Sequence, residues 1–275
     1  MVKRGPIGVF DSGYGGLTIL DKIRTHLPEY DFIYLGDNAR TPYGMRSFEI
    51  VYQFTRQAVK WLFVKNSPLV ILACNTASAK ALRSIQQIDL PQIDPSRRVL
   101  GVIRPTVEAV VGLTQTNHIG VLGTPGTIAS ESYTLEIHKL FPEIQVTGEA
   151  CPMWVPLVEN GESDKPGADY FIRQHLNNIL QKDPLIDTLI LGCTHYPLLE
   201  EKIKANLPKS VNIISQGQLV AESLKDYLFR HPEIDQRCSK NGTCHFYTTE
   251  SEEKFAEMAS VFLDEKIKAE RINLE

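Results

Sequence analysis

Short, wholly apolar runs alternate along the chain with longer stretches in which apolar residues recur every three or four positions. This is the pattern of buried parallel strands separated by amphipathic helices. Residues 7–10 predict a strand, and Leu17, Leu20, Ile23 and Leu27 predict a helix that Pro28 stops. A second strand over 32–35 runs into a polar, turn-rich loop at 36–44. Ile50, Phe54, Ala58, Trp61 and Leu62 share one side of a helix over 48–64, and the apolar run from Leu69 ends at Cys74. Strands joined through helices in this way form a parallel sheet, because crossover connections are right-handed.

A polar, proline-containing connection over 91–98 ends this unit, and the pattern starts again with a strand at 99–103 and a helix at 106–113. Ile119-Gly-Val-Leu-Gly-Thr-Pro-Gly126 repeats the character of Ile7-Gly-Val-Phe-Asp-Ser-Gly13, 112 residues on. The run ending at Cys193 repeats the run ending at Cys74, 119 residues on. Such near-constant spacing predicts an α/β protein of two similar lobes with mainly parallel sheets, related by a pseudo-twofold axis, with the active site between them. Between the repeats lie a strand at 144–148, an irregular stretch at 151–161 whose prolines forbid a long element, and a helix at 168–180. A strand at 211–215, a helix at 219–229, a polar segment at 231–241 expected to be a mobile hairpin or loop, a strand at 245–249 and a helix at 255–263 complete the chain. The last of these pieces are expected to return to the first lobe. The expected division is 1–98 plus 210–275 for the lobe carrying Cys74, and 99–209 for the lobe carrying Cys193.

A chain of 275 residues with 43% hydrophobic content has the size at which one core becomes two. The net charge of −4 and a pI near 6.0 leave no basic footprint, so no nucleic-acid partner is expected. The first residues lack the long apolar region of a signal peptide, and no apolar run nears the ~20 residues that span a bilayer. A cytoplasmic protein with no membrane partner is expected. Five cysteines, an odd number in a chain of ordinary composition, favour reduced thiols over a disulfide framework.

Cys74 and Cys193 each stand at the carboxyl end of a predicted strand, opening onto a helix start, where α/β sheets bind ligands and where helix dipoles favour thiolates. Two facing thiols can do what one cannot. Inverting a carbon that bears an acidic C–H needs a base on one face and an acid on the other, and a thiolate and a thiol fill both roles. Cys151, Cys238 and Cys244 are read as core or surface residues. Cys238, Cys244 and His245 lack a fourth ligand and a paired knuckle, so no metal is expected. The Gly13-Tyr-Gly-Gly16 cluster is neither a dinucleotide fingerprint nor a phosphate loop.

Phe10-Asp-Ser-Gly-x-Gly-Gly16, Gly36-Asp-Asn-Ala-Arg-x-Pro-Tyr-Gly44, Ala73-Cys-Asn-Thr-Ala77, Gly120-Val-Leu-Gly-Thr-x-x-Thr127 and Leu191-Gly-Cys-Thr-His-Tyr-Pro197 occur in order over nearly the whole chain. In these the sequence resembles the glutamate racemases of the aspartate/glutamate racemase superfamily. The resemblance implies a cofactor-independent interconversion of L- and D-glutamate that supplies D-glutamate for peptidoglycan, and a homodimer. It implies that Cys74 and Cys193 are the acid/base pair, assisted by Asp11, His195 and Glu159. It further implies that Asp11, Ser12, Tyr43, Gly44, Asn75, Thr76, Thr124, Thr127, Thr194 and His195 bind substrate. A racemase acting on aspartate or another amino acid and a non-enzymatic thiol or redox binding module remain the alternatives.

Overall fold

Among the described residues ten strands carry the apolar runs, and every pairing between them is parallel. The computed structural model describes residues 4–263 and 265–275. Residues 1–3, part of the stretch read above for a targeting signal, lie outside the described residues. The strands are β1 (Ile7–Asp11), β2 (Phe32–Gly36), β3 (Leu69–Leu72), β4 (Arg98–Gly101), β5 (His118–Gly123), β6 (Gln145–Ala150), β7 (Thr188–Gly192), β8 (Asn212–Ile214), β9 (Cys244–Thr248) and β10 (Ala269–Arg271). They form a six-stranded sheet, β10-β9-β2-β1-β3-β4, and a four-stranded sheet, β6-β5-β7-β8.

The second sheet repeats the order of four strands of the first: β2-β1-β3-β4 corresponds to β6-β5-β7-β8. In each, the chain leaves the central strand toward one edge and then returns to its other side, which makes a crevice at the carboxyl ends of β1 and β3, and again at those of β5 and β7. Open α/β sheets bind their ligands at such switch points. Cys74 follows β3 and Cys193 follows β7, so each thiol stands at the crevice of its own sheet.

Both faces of each sheet are covered, as the apolar strands require. Leu17–His26 and Gln216–Arg230 cover one face of the first sheet, where Leu20, Ile23, Val220 and Leu224 meet. Phe48–Val64, capped by Ser47, whose Oγ accepts from the Ile50 N–H at 3.3 Å, covers the other with Val51, Ala58 and Leu62. On the second sheet, Pro166–Lys182 packs on one face, and Ile103–Val110 and Ser132–Leu140 on the other.

Two strands join the sheet opposite to the one expected. The segment from Val99, expected to open the second lobe, extends the first sheet as β4, pairing Val70 with Val99. The segment from Val211, expected in the first lobe, completes the second sheet as β8, pairing Leu189 with Ile213. Both are short apolar runs, which signal burial without specifying a neighbour. The segment 231–241 is pinned: Pro232–Asp235 is a short helix, Gly5 bridges to Cys238, and Asp31 accepts from the N–H groups of Asn241 and Thr243 at 3.1 and 3.0 Å. Hydrogen bonds from Ser239, Thr243 and Asn241 hold the Asp31 carboxyl well below the usual carboxylate range, despite its burial. The stretch read as irregular contains the helix Trp154–Glu159, and the helix Ser132–Leu140 and strand β10 had no predicted counterpart.

Leu122 is fully buried in β5. Leu122→Ala is expected to destabilise the protein by about 2–5 kcal/mol, the usual cost of such a cavity, read as a lower denaturation midpoint; a change within experimental error would show that this core readily collapses around the gap.

Candidate active site

The site is built where loops of the first sheet touch loops of the second. After β1 the chain turns through Asp11 to Gly16, and a Cβ at Gly15 would lie 2.3 Å from Thr194 Oγ1 and 2.5 Å from His195 Nδ1. Only glycine permits that approach. The neighbouring Thr18 Oγ1 donates to the Thr194 carbonyl at 3.1 Å. A second close approach lies at Gly44, where a Cβ would stand 2.7 Å from Thr124 Cβ.

Around the first thiol, Cys74 caps the helix Asn75–Lys80, with its Sγ accepting from the Ala77 N–H at 3.4 Å. The thiol donates to Ser12 Oγ at 3.4 Å. Asp11, fully buried at the end of β1, accepts the Gly13 N–H on Oδ2 at 2.9 Å, whereas its Oδ1 has no hydrogen-bond partner among the described residues. Burial raises the Asp11 carboxyl above its ordinary range, against the pull of His195.

The second thiol has a different escort. Cys193 Sγ lies 3.9 Å from His195 Nδ1, and His195 Nε2 lies 2.9 Å from Glu159 Oε1. Glu159 is delivered by Trp154–Glu159, a helix anchored by the fully buried Trp154, whose ring packs edge-on against Tyr196 at 4.8 Å. The His195 ring stands perpendicular to Phe262 at 5.5 Å.

Thr76, Thr124 and Thr127 form a buried triangle of hydroxyls, 2.9, 3.2 and 3.1 Å apart. Thr124 also caps Pro125–Ala129 by accepting from the Thr127 N–H. This triangle joins the two sheets, since Thr76 follows Cys74 while the other two follow β5.

A model of Asp/Glu/Hydantoin racemases matches residues 18–224. The chain belongs to that family. Among its relatives, the glutamate racemase of Shouchella clausii is 41% identical over 260 residues, covering 94% of this chain and 90% of that protein. The one from Streptococcus agalactiae is 40% identical and covers 98% of both. Of solved structures, a glutamate racemase isoform of Bacillus anthracis superposes with a TM-score of 0.88 at 37% identity, covering 99% of this chain and 98% of that one. The Francisella tularensis glutamate racemase, in complex with D-glutamate, also superposes at 0.88, at 36% identity, over 100% of this chain and 99% of that one. These neighbours share the α/β architecture of two parallel sheets described above. The chain is thus an enzyme of the racemase class.

The two thiols at the strand ends sit in contrasting surroundings. Burial pushes the Cys74 thiol up to about 12, and the Asp11 charge adds to the rise; the contacts with Ser12 and the Ala77 N–H oppose it without prevailing. The expectation that a helix start lowers this thiol therefore fails, because the desolvation of a residue only 6% exposed outweighs one capping N–H. At His195 burial works against the charge, but the bonds to Cys193 and Glu159 win and raise the imidazole to about 10. The Cys193 sulfur thereby faces a cationic donor.

The residues singled out from sequence gather here, with two qualifications. The Tyr43 hydroxyl is committed to Asp37, and the ring lies between Phe10 and Phe54. The Asn75 side chain is also engaged within the protein: its Oδ1 accepts from Tyr133 and its Nδ2 donates to Gln216, both at 2.6 Å. Tyr133 and Gln216 were not anticipated, since neither lies in a glycine-rich or cysteine-bearing motif. Asn38 was overlooked too, although it stands in the polar 36–44 loop. Its Oδ1 accepts from Thr248 Oγ1, while its buried Nδ2 lacks a partner among the described residues.

His195 makes a checkable contribution to stability. Its folded value is raised above the unfolded 6.5, so the stabilisation is complete below pH 6.5 and is lost as pH climbs through about 10. Accordingly, the difference in Tm between wild type and His195→Asn is expected to narrow over that interval. Thermal melts showing a difference that widens toward alkaline pH would contradict the charged pairing.

Proposed function

We propose that the chain interconverts L- and D-glutamate by cofactor-independent proton transfer at the α carbon, with Cys74 and Cys193 as the two acid/base groups. One observation carries this reading: the thiols occupy equivalent places at the switch points of two sheets of matching strand order, and the Asp11–Gly16 loop, whose Ser12 bonds Cys74, meets the Cys193 loop at Gly15. One-base chemistry has no use for such a pair.

In the proposed reaction one sulfur, as thiolate, takes the α proton, leaving the C–H electron pair on carbon. The opposite thiol then gives its proton to the other face, so the configuration inverts and the protonation states of the two sulfurs exchange. In the arrangement described here burial favours the protonated form of Cys74, and Cys193 has the His195 imidazole beside it. Glu159 holds that imidazole from behind. The partnerless Asp11 Oδ1, near Cys74, is an acceptor suited to an ammonium or a transferred proton. The Thr76, Thr124 and Thr127 hydroxyls, the Thr194 hydroxyl, Ser12 and the backbone at Tyr43 and Gly44 supply fixed donors for carboxylates, where developing charge is best stabilised.

Relatives named glutamate racemase at about 40% identity support glutamate as the substrate. We further assign one thiol to each of two lobes, and to the whole a homodimeric, cytoplasmic enzyme that supplies D-glutamate for peptidoglycan.

Cys74→Ala and Cys193→Ala are each expected to lower racemisation by about 10²-fold or more, with the fold retained. Retention of a tenth of the wild-type rate by either would exclude two-base transfer. In D₂O, the D-glutamate first formed from L-glutamate should carry deuterium at the α carbon, and unlabelled early product would mean return of the same proton. Chiral chromatography with aspartate in parallel tests the substrate: faster turnover of aspartate would overturn the assignment.

A further inference from the structure

Tyr133 touches the neighbours of both thiols. Its hydroxyl donates to Oδ1 of Asn75, the residue after Cys74, at 2.6 Å. Its ring packs against Gly192, the residue before Cys193: a Cβ built there would lie 3.3 Å from Tyr133 Cε2. The side chain is 3% exposed, and burial holds its hydroxyl well above the usual phenol range, so it remains a donor throughout the working pH range.

The contact with Asn75 belongs to a closed ring of three hydrogen bonds. Tyr133 Oη donates to Asn75 Oδ1, Asn75 Nδ2 donates to Gln216 Oε1 at 2.6 Å, and Gln216 Nε2 donates back to Tyr133 Oη at 2.7 Å. Every donor in the ring meets an acceptor, an arrangement in which each bond polarises the next. Gln216 also donates to Thr106 Oγ1 at 2.8 Å. One residue earlier than Tyr133, Ser132 Oγ donates to the Ala79 carbonyl at 3.0 Å. The start of Ser132–Leu140, a helix of the second sheet, is thus bonded at two points to Asn75–Lys80, the helix that Cys74 caps.

Resting on the two-thiol reading, we propose that Tyr133 is a positioning residue that sets the separation of the two sulfurs, its hydroxyl registering the Cys74 helix and its ring bearing on the Cys193 loop. Tyr133 is bonded to the residue after Cys74 and packs on the residue before Cys193. Tyr133 touches neither sulfur in any hydrogen bond, so it acts through Asn75 and Gly192. Such control matters because a misplacement of about 1 Å costs a proton transfer as much as ~10²-fold.

Tyr133→Phe keeps the ring and removes the hydroxyl, and Tyr133→Leu removes both. The enantiomers have equal free energy, so kcat/KM falls alike in the two directions for any variant and the directional ratio carries no information. The informative quantity is label partition in D₂O, namely deuterium in recovered substrate relative to deuterium in product at early times. A second sulfur out of place delays delivery and lets the first return a solvent-exchanged proton. Tyr133→Phe is therefore expected to lower kcat about tenfold or more, to change KM little, and to raise the substrate-to-product label ratio; an unchanged ratio alongside the lower rate would reduce Tyr133 to a stabilising residue and overturn the proposal. Crystal structures of wild type and both variants read the sulfur separation without turnover. A separation unaltered in Tyr133→Leu, or in Tyr133→Phe should the former fail to fold, would also overturn it. Absence of glutamate racemisation by the wild type would instead refute the function proposed above, leaving the crystallographic comparison to decide the role of Tyr133.

Discussion

The contact of bare backbone at Gly15 with Thr194 and His195 is the constraint on which the rest depends. The two sheets, each covered on both faces, meet through loops at the carboxyl ends of their strands and through helices beside those loops, with Ser132–Leu140 bonded to Asn75–Lys80 and Ile103–Val110 lying against Gln216–Arg230. A side chain at Gly15 would drive those loops apart. With hydrogen alone at that position, the Asp11–Ser12–Cys74 group of one sheet and the Cys193–His195–Glu159 group of the other share a single water-poor region.

That shared region explains the unlike treatment of two like sulfurs. Both are 6% exposed, so both lose hydration. Cys74 is compensated only by a serine hydroxyl and one amide, with a carboxylate close enough to add repulsion. Cys193 faces an imidazole whose charge is secured by a carboxylate on its far side. The pseudo-symmetry of the fold is therefore broken in the surroundings of the two sulfurs, a hydroxyl and an amide beside one and an imidazole–carboxylate pair beside the other.

Much of this was legible in the sequence. The apolar runs of β1, β2, β3, β5 and β7 are long enough and cleanly enough bounded to be read directly, and Cys74 and Cys193 declare themselves because each ends such a run. The recurrence of both patterns at 112 and 119 residues anticipated the repeated strand order. Sheet membership of β4 and β8 was not legible, since a short apolar segment encodes burial and leaves its neighbour to be chosen by the whole sheet. Cys74's raised thiol was hidden for a related reason: its cap is local, whereas the desolvation that prevails comes from the entire closed interface. Tyr133 and Gln216 were invisible because their bonds to Asn75 span 58 and 141 residues of sequence, and nothing in their immediate surroundings marks them.

The chain passes from the first sheet to the second after β4 and comes back after β8. These two passages lie side by side, with Gln216 Nε2 donating to the Val102 carbonyl at 3.4 Å. A pair of adjacent covalent links works as a door hinge rather than a ball joint: it permits swing about one axis and resists twist.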